Sequence, residues 1–223
     1  MHNALLDHAL STRILSMHPL SQETDRVPDR YQRVREVALS LFASEGYANV
    51  SLRQLAEHLG MHAGSLYNHI ESKQALLFEL IRDHLESLLD YVEWRVKGSK
   101  DVEGKLQVFI ASHIDFHLHH KELAQLSVLE LRNLDPEHLG EVAGLYKSYR
   151  DRLGSIINEG IKSGLFHSHP LSAATLGILG MLTNIPFWFT EGGPLSREQL
   201  ISQYTTMVCC SLRMPSNFSQ FVV

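Results

Sequence analysis

The sequence predicts an all-α protein of about nine helices. Three observations carry that reading: apolar residues recur at steps of three and four, no segment alternates with the period of two expected of a half-buried strand, and several helix starts carry their own capping residues. With 223 residues, 44% hydrophobic and 20% charged, the chain can bury a sizeable core without a disulfide staple.

Residues 1–28 contain Pro19 and Pro28 among many polar side chains and read as a mobile tail. From Asp29, Val34, Val37, Ala38, Leu41 and Phe42 form one helical face, and Gly46 stops it. Ser51-x-x-Gln54 is a capping box: the serine oxygen serves an orphan amide while the glutamine reaches back. The helix it opens turns Leu52, Leu55, Ala56 and Leu59 inward and ends at Gly60. A second short helix starts near His62, with Leu66 and Ile70 inward. Ser72 caps a long helix whose stripe is Leu76, Leu77, Leu80, Ile81, Leu85, Leu88, Leu89 and Val92.

Beyond Gly98-Ser99, helices are expected over 102–119 and 122–133. Asp135-Pro136 joins an N-cap to a proline at the first helical position, opening a helix that ends at Gly164. Residues 171–190 form an apolar helix interrupted by Pro186, and 191–196 a loop. Ser196-x-x-Gln199 is a second capping box, opening a last helix to Leu212. The expected division is a tail at 1–28, a small domain at 29–75, a larger one at 76–213 and a tail at 214–223.

The net charge of −5 argues against a wholly basic nucleic-acid coat. Residues 26–73 nevertheless hold six basic against five acidic side chains, so the acidity lies elsewhere. Cys209 and Cys210 are adjacent. Neighbouring Cα atoms lie about 3.8 Å apart, under the usual disulfide range of about 4.4–6.8 Å, so two free thiols and a reducing, cytoplasmic setting are expected. The stretch 173–189 is broken by Thr183, Asn184 and Pro186 and falls short of the roughly 20 residues of a membrane span. No signal-peptide pattern opens the chain, and no membrane association is expected.

Residues 51–76 explain why the chain stops and restarts so often. Two short helices crossing at a steep angle need close contact and a tight turn. Ala56 permits the approach, Gly60 can adopt the left-handed turn, and Met61 and Leu66 fill the shared core. This is the helix-turn-helix arrangement, whose second helix can enter the major groove. His62, Ala63, Ser65, Tyr67, Asn68 and His69 fall largely off its apolar positions. Asparagine can read adenine, and serine and alanine suit hydrogen bonds or a thymine methyl. Tyr67 and Lys73, with Ser51 and Arg53 on the flanking helix, are placed to hold phosphates.

The segment resembles the DNA-binding domain of TetR-family repressors through Ser51, Arg53, Leu55, Ala56, Gly60, Gly64, Ser65, Leu66, Tyr67, His69, Ser72, Lys73 and Leu76. Phe42 and "EGYANVS" (45–51) fit as well. Departures are His62 and Ala63, where serine and lysine are common, and Ile70 for phenylalanine; the first two bear on which operator is read. The resemblance implies phosphate contacts for Tyr67 and Lys73, groove contacts for Ser65 and Asn68, double-stranded operator DNA as partner, and a homodimer. It implies no enzymatic activity and no cofactor.

In the C-terminal part, Leu106, Phe109 and Ile110 define a stripe. At 100° per residue, His113, His117 and His120 lie within about 40° of its centre. Such histidines could hydrogen-bond a ligand, share a metal ion through His113 and His117, or simply pack. Glu130-x-Arg132-x-Leu134, Tyr146, Tyr149-Arg150, "INEGIKSGLF" (157–166) and "ILGMLTNIPFWFTEGGPLS" (178–196) are similar to TetR-family subgroups that repress acyl-CoA, fatty-acid or steroid-fragment catabolism. That similarity implies a small lipophilic effector, with acyl-CoA thioesters among the candidates. Those subgroups often carry a tryptophan near position 184 and a basic residue before the later tryptophan; here stand Asn184 and Phe187. The candidate pocket residues are His113, His117, Arg132, Tyr146, Tyr149, Asn184 and Trp188. The helices over 171–190 and 196–212 are the candidate dimer surface.

Overall fold

The computed structural model describes residues 30–167 and 170–213. The tails expected at 1–28 and 214–223 lie outside the described residues, whose regular structure is all helical with no strand. Ten α-helical segments follow in order: α1 (Arg30–Glu45), α2 (Leu52–His58), α3 (Ala63–Leu66), α4 (Lys73–Lys97), α5 (Val102–His119), α6 (Lys121–Leu129), α7 (Pro136–Lys162), α8 (Leu171–Thr183), α9 (Ile185–Trp188) and α10 (Arg197–Arg213). Short 3₁₀ turns sit at Tyr47–Asn49 and Leu131–Asn133.

The caps read from sequence are formed. Ser51 Oγ accepts from Gln54 N at 3.2 Å while Gln54 Oε1 accepts from Ser51 N at 2.8 Å. Ser72 Oγ accepts from Ala75 N, Asp135 Oδ1 from His138 N, and Ser196 pairs reciprocally with Gln199. Two expected helices are divided. The one over 122–133 ends as α6 at Leu129 and continues as the 3₁₀ turn. The one over 171–190 breaks at Asn184, because Pro186 carries no N–H for a continued ladder. The reader's second helix is also shorter than expected: after Leu66 the chain closes as turns through His69.

Two apolar cores stack along α4. One joins α1, α2 and α3 to the first half of α4 and to Leu126, Leu134 and Val142 of the following elements. The other joins the second half of α4 to α5, α7, α8, α9 and α10. The expected boundary at 75/76 therefore falls inside a continuous helix. Further ties fasten the small N-terminal unit. Arg35 pairs with Asp83 at 2.9 Å, the Tyr31 hydroxyl donates to Glu79, and Tyr47 N donates to Glu130 Oε1 at 3.2 Å.

Candidate DNA-reading face and core histidine cluster

The reader's shape comes from its buried side. Leu55, Ala56, Leu66 and Ile70 are packed away, and Gly60 makes the turn at φ 65°, a conformation that penalises any side chain. Met61 N donates back to Ala56 O at 3.0 Å, closing the α2–α3 corner. What remains outside is the predicted set. Ser51, Arg53, His62, Ala63, Ser65, Tyr67 and Asn68 are exposed, and His69 is half-buried. Tyr67, at 59% exposure, has no core to fill, so its ring and hydroxyl are presented outward.

Two side chains in this set are engaged within the protein. Arg53 Nε lies 3.1 Å from Glu57 one turn on, a solvent-exposed pair that competes weakly with any phosphate. Lys73 is half-buried, with its ammonium 4.1 Å from the Tyr47 ring centroid. Burial lowers its pKa, and the Glu130 carboxylate acts in the opposite direction. Lys73 thus braces the start of α4 against the Tyr47–Asn49 turn, while its neighbour Gln74 reaches the Leu131–Asn133 turn, donating from Nε2 to Asn133 O.

The other candidate site is divided. His113, His117 and Tyr149 come together; Tyr146 packs against the other core, with its hydroxyl donating to Ser127 O at 2.9 Å. Arg132, Asn184 and Trp188 do not join them. Arg132 is exposed on the 3₁₀ turn, Asn184 is exposed at the break between α8 and α9, and Trp188 stacks on Tyr204 at the molecule's outer face. His120 sits one residue beyond the end of α5 at φ −116° and ψ 44°; much of its surface is exposed, but its ring stays at the rim of the cluster, 4.6 Å from the Phe116 ring centroid and 6.3 Å from that of His84.

In place of these, α4 contributes His84, which the sequence reading passed over. Its signal was present: His84 stands three and four residues from Ile81, Leu80 and Leu88 on the apolar stripe. The ring stacks with His117 at 5.5 Å between centroids, and His117 meets His113 edge to face at 4.2 Å. His113 Nδ1 lies 2.8 Å from the Tyr149 hydroxyl. Phe116 and Phe109 close the sides.

All three rings are enclosed: His113 is 1% exposed, His84 3% and His117 5%. Burial holds His113 down at about 3, with the nearby His84 adding to the effect. It also holds His84 and His117 well below the usual imidazole value, with the neighbouring histidines adding to the effect. Tyr149 is shifted well upward by burial. The cluster is therefore neutral at physiological pH. Both nitrogens of His84, Nε2 of His113 and Nδ1 of His117 have no hydrogen-bond partner. Among the described residues, no three histidine, cysteine or acidic side chains converge as a metal ion would require. An open groove of about 500 Å³ lies elsewhere, between α7 and α8, lined by Arg150, Asn158, Leu171, Ser172 and Thr175.

The α8–α10 face is apolar and open. Leu176 is 54% exposed and Met207 51%, with Met181, Phe187 and Trp188 also exposed. The window Leu171–Trp188 is long and apolar enough to cross a membrane by composition alone, but the helix is broken within it. Cys209 is buried and Cys210 exposed, and both are free thiols.

Comparison with known proteins agrees with this geometry. Residues 34–80 match the family described as "Bacterial regulatory proteins, tetR family", and residues 99–212 match "Tetracyclin repressor-like, C-terminal domain". The HTH-type transcriptional repressor KstR2 of Mycobacterium tuberculosis is 26% identical over 185 residues, covering 82% of this chain and 92% of its own. A tetR-family regulatory protein from Rhodococcus RHA1 superposes with a TM-score of 0.78 at 24% identity, over 83% of this chain and 98% of its own. AibR, solved in complex with isovaleryl coenzyme A and operator DNA, superposes with a TM-score of 0.75 at 24% identity, over 80% and 97%.

Proposed function

Because the chain belongs to the TetR family of bacterial regulators, we propose that it is a transcriptional repressor. It acts in the cytoplasm, holds an inverted-repeat operator as a homodimer, and releases it when a small lipophilic effector enters the C-terminal core. The observation that carries this reading is the outward face of Ser65, Tyr67 and Asn68 on a capped helix-turn-helix whose opposite side buries Leu55, Ala56, Leu66 and Ile70. With so little net positive charge in the reader, one copy binds weakly, and affinity comes from two half-sites one helical turn apart. The exposed apolar strip of Leu176, Met181 and Met207 is suited to the partner protomer.

The effector chemistry rests on the apolar walls of the α4–α5–α7 core and on its neutral histidines. Acyl-CoA thioesters are candidates, and AibR, which shares the fold, was solved with one. Release works as a population shift. The long helix α4 belongs to both cores, so a change of packing around His84 tilts the end that carries the reader. Tyr146 on Ser127 O and Glu130 on Tyr47 N provide a second path through α6. A crosslink between α4 and α5 should abolish release while sparing DNA binding; induction that survives it refutes the mechanism.

The test of function is selection of genomic fragments by the purified protein at about 150 mM salt. Enrichment of one inverted repeat is the expected result. Binding without any enriched motif, with a steep salt slope, would mean an architectural DNA-binding protein instead.

A further inference from the structure

We infer that His84, His113 and His117 form the docking point for an uncharged polar group of the effector, a carbonyl (ketone, ester or thioester) or a hydroxyl, with the rest of the ligand lying against the apolar core. The inference rests on the proposed effector-responsive reading and specifies the chemistry of that same site.

Three enclosed imidazoles on two helices leave four ring nitrogens without partners. Native proteins pair nearly all buried polar atoms, so a concentration of unpaired ones in a single place signals a group that is to be received there. The residues also specify what kind of group. The Tyr149 hydroxyl needs an acceptor, and His113 Nδ1 is the one it reaches, at 2.8 Å. The hydroxyl donates there, which puts the ring proton of neutral His113 on Nε2, the unpartnered atom. The cluster thereby offers an N–H donor. His84 has both ring atoms open, one donor and one acceptor when neutral. A carbonyl oxygen can accept from such donors, and a hydroxyl can also donate.

A carboxylate fits poorly. The groups that act electrostatically on these three rings are other histidines: His84, His113 and His117 themselves, held uncharged by burial, and His120 at the rim, whose pKa burial also lowers. A buried anion here would lack the cation needed to offset its desolvation. A plain alkane would leave every open nitrogen unmet. A shared metal ion is not favoured, because the side chains do not converge on one point.

The experiment titrates the full-length protein with three probes of equal chain length: 2-dodecanone, dodecanoate and dodecane. Binding is read by tryptophan fluorescence and operator release by anisotropy of labelled DNA. Wild type is expected to bind 2-dodecanone at least tenfold more tightly than either other probe, a difference of about 1.4 kcal/mol. His84→Leu should erase that preference, so that 2-dodecanone binds no more tightly than dodecane. His84→Gln, which keeps a hydrogen-bonding group, should retain part of it, and His117→Leu should repeat the loss should either His84 variant fail to fold. Equal binding of the three probes, no binding of 2-dodecanone, or an unchanged preference in the folded leucine variants overturns the inference. Histidine-dependent binding that leaves the operator bound upholds the docking point and counts against the repressor-release reading. Release by 2-dodecanone that ignores the histidines does the reverse.

Discussion

Tyr67 and the three core histidines are both aromatic residues in short-range sequence patterns, yet their surroundings give them opposite tasks. Tyr67 is exposed and holds nothing in the core, so its hydroxyl is available to a phosphate oxygen. Hydrogen bonds to charged groups are worth about 1.5–3 kcal/mol. Tyr67→Phe should therefore weaken operator binding about tenfold or more with no change in urea midpoint, as measured by anisotropy and denaturation. A loss of stability would show the ring to be structural. The histidines respond to pH instead. Burial depresses their native-state pKa values, that of His113 to about 3, while the unfolded chain titrates near 6.5. Between those values the unfolded state binds more protons, so stability is full above about 6.5 and falls as the solution is acidified. His113 should withdraw about 2 kcal/mol by pH 5, and His84 and His117 act in the same direction. Melting curves from pH 7 to 5 should show His84→Leu with a shallower decline than wild type; identical slopes would mean the histidine is not buried neutral.

At the level of single helices, two features decide where elements begin and end. Ser51 and Gln54 satisfy the first amides of α2, and the reader hangs on that short helix. Ser51→Ala should cost about 1 kcal/mol, visible as a lower thermal midpoint. The end of α7 is set by a tighter device. Leu165 N and Phe166 N both donate to Gly160 O, at 2.9 and 3.1 Å, which folds the chain back over the helix. A Cβ on Gly160 would lie 2.1 Å from the Phe166 ring. Gly160→Ala should destabilise by about 1–3 kcal/mol, the usual penalty of overpacking. A urea midpoint equal to wild type would show that the ring swings aside freely. "INEGIKSGLF" thus contains a packing contact as well as a helix stop.

For the molecule as a whole, the open α8–α10 face and the weakly charged reader belong to one design. In the proposed dimer, a second copy supplies the affinity that one weakly charged reader lacks and covers the strip containing Leu176, Met181 and Met207. Leu176→Glu with Met207→Glu should yield a monomer by light scattering and lower operator affinity by about two orders of magnitude or more. A charged variant that stays dimeric would place the interface elsewhere.

The helices, their caps and the reader's outer face could be read directly from residues because each depends on neighbours within about four positions. Capping boxes, the turn at Gly60 and the apolar stripes are local events, governed by backbone geometry and helical period. The core site was legible only in part. His113 and His117 share a face of one helix, and their spacing announced them. Tyr149 meets them from a different helix. His84 arrives from α4, and His120, one residue past the helix end, stays at the rim of the cluster beside Phe116 and His84 with much of its surface exposed. Arg132, Asn184 and Trp188 looked equivalent along the chain, but chain breaks at Leu131–Asn133 and around Pro186 turned them to the surface. Sequence alone determined the all-helical class, the helix starts and the DNA-reading motif, since these follow from short-range hydrogen bonding and periodicity. Only the tertiary structure decided which polar side chains are enclosed together without partners, because that depends on how distant helices pack and on how much water they exclude.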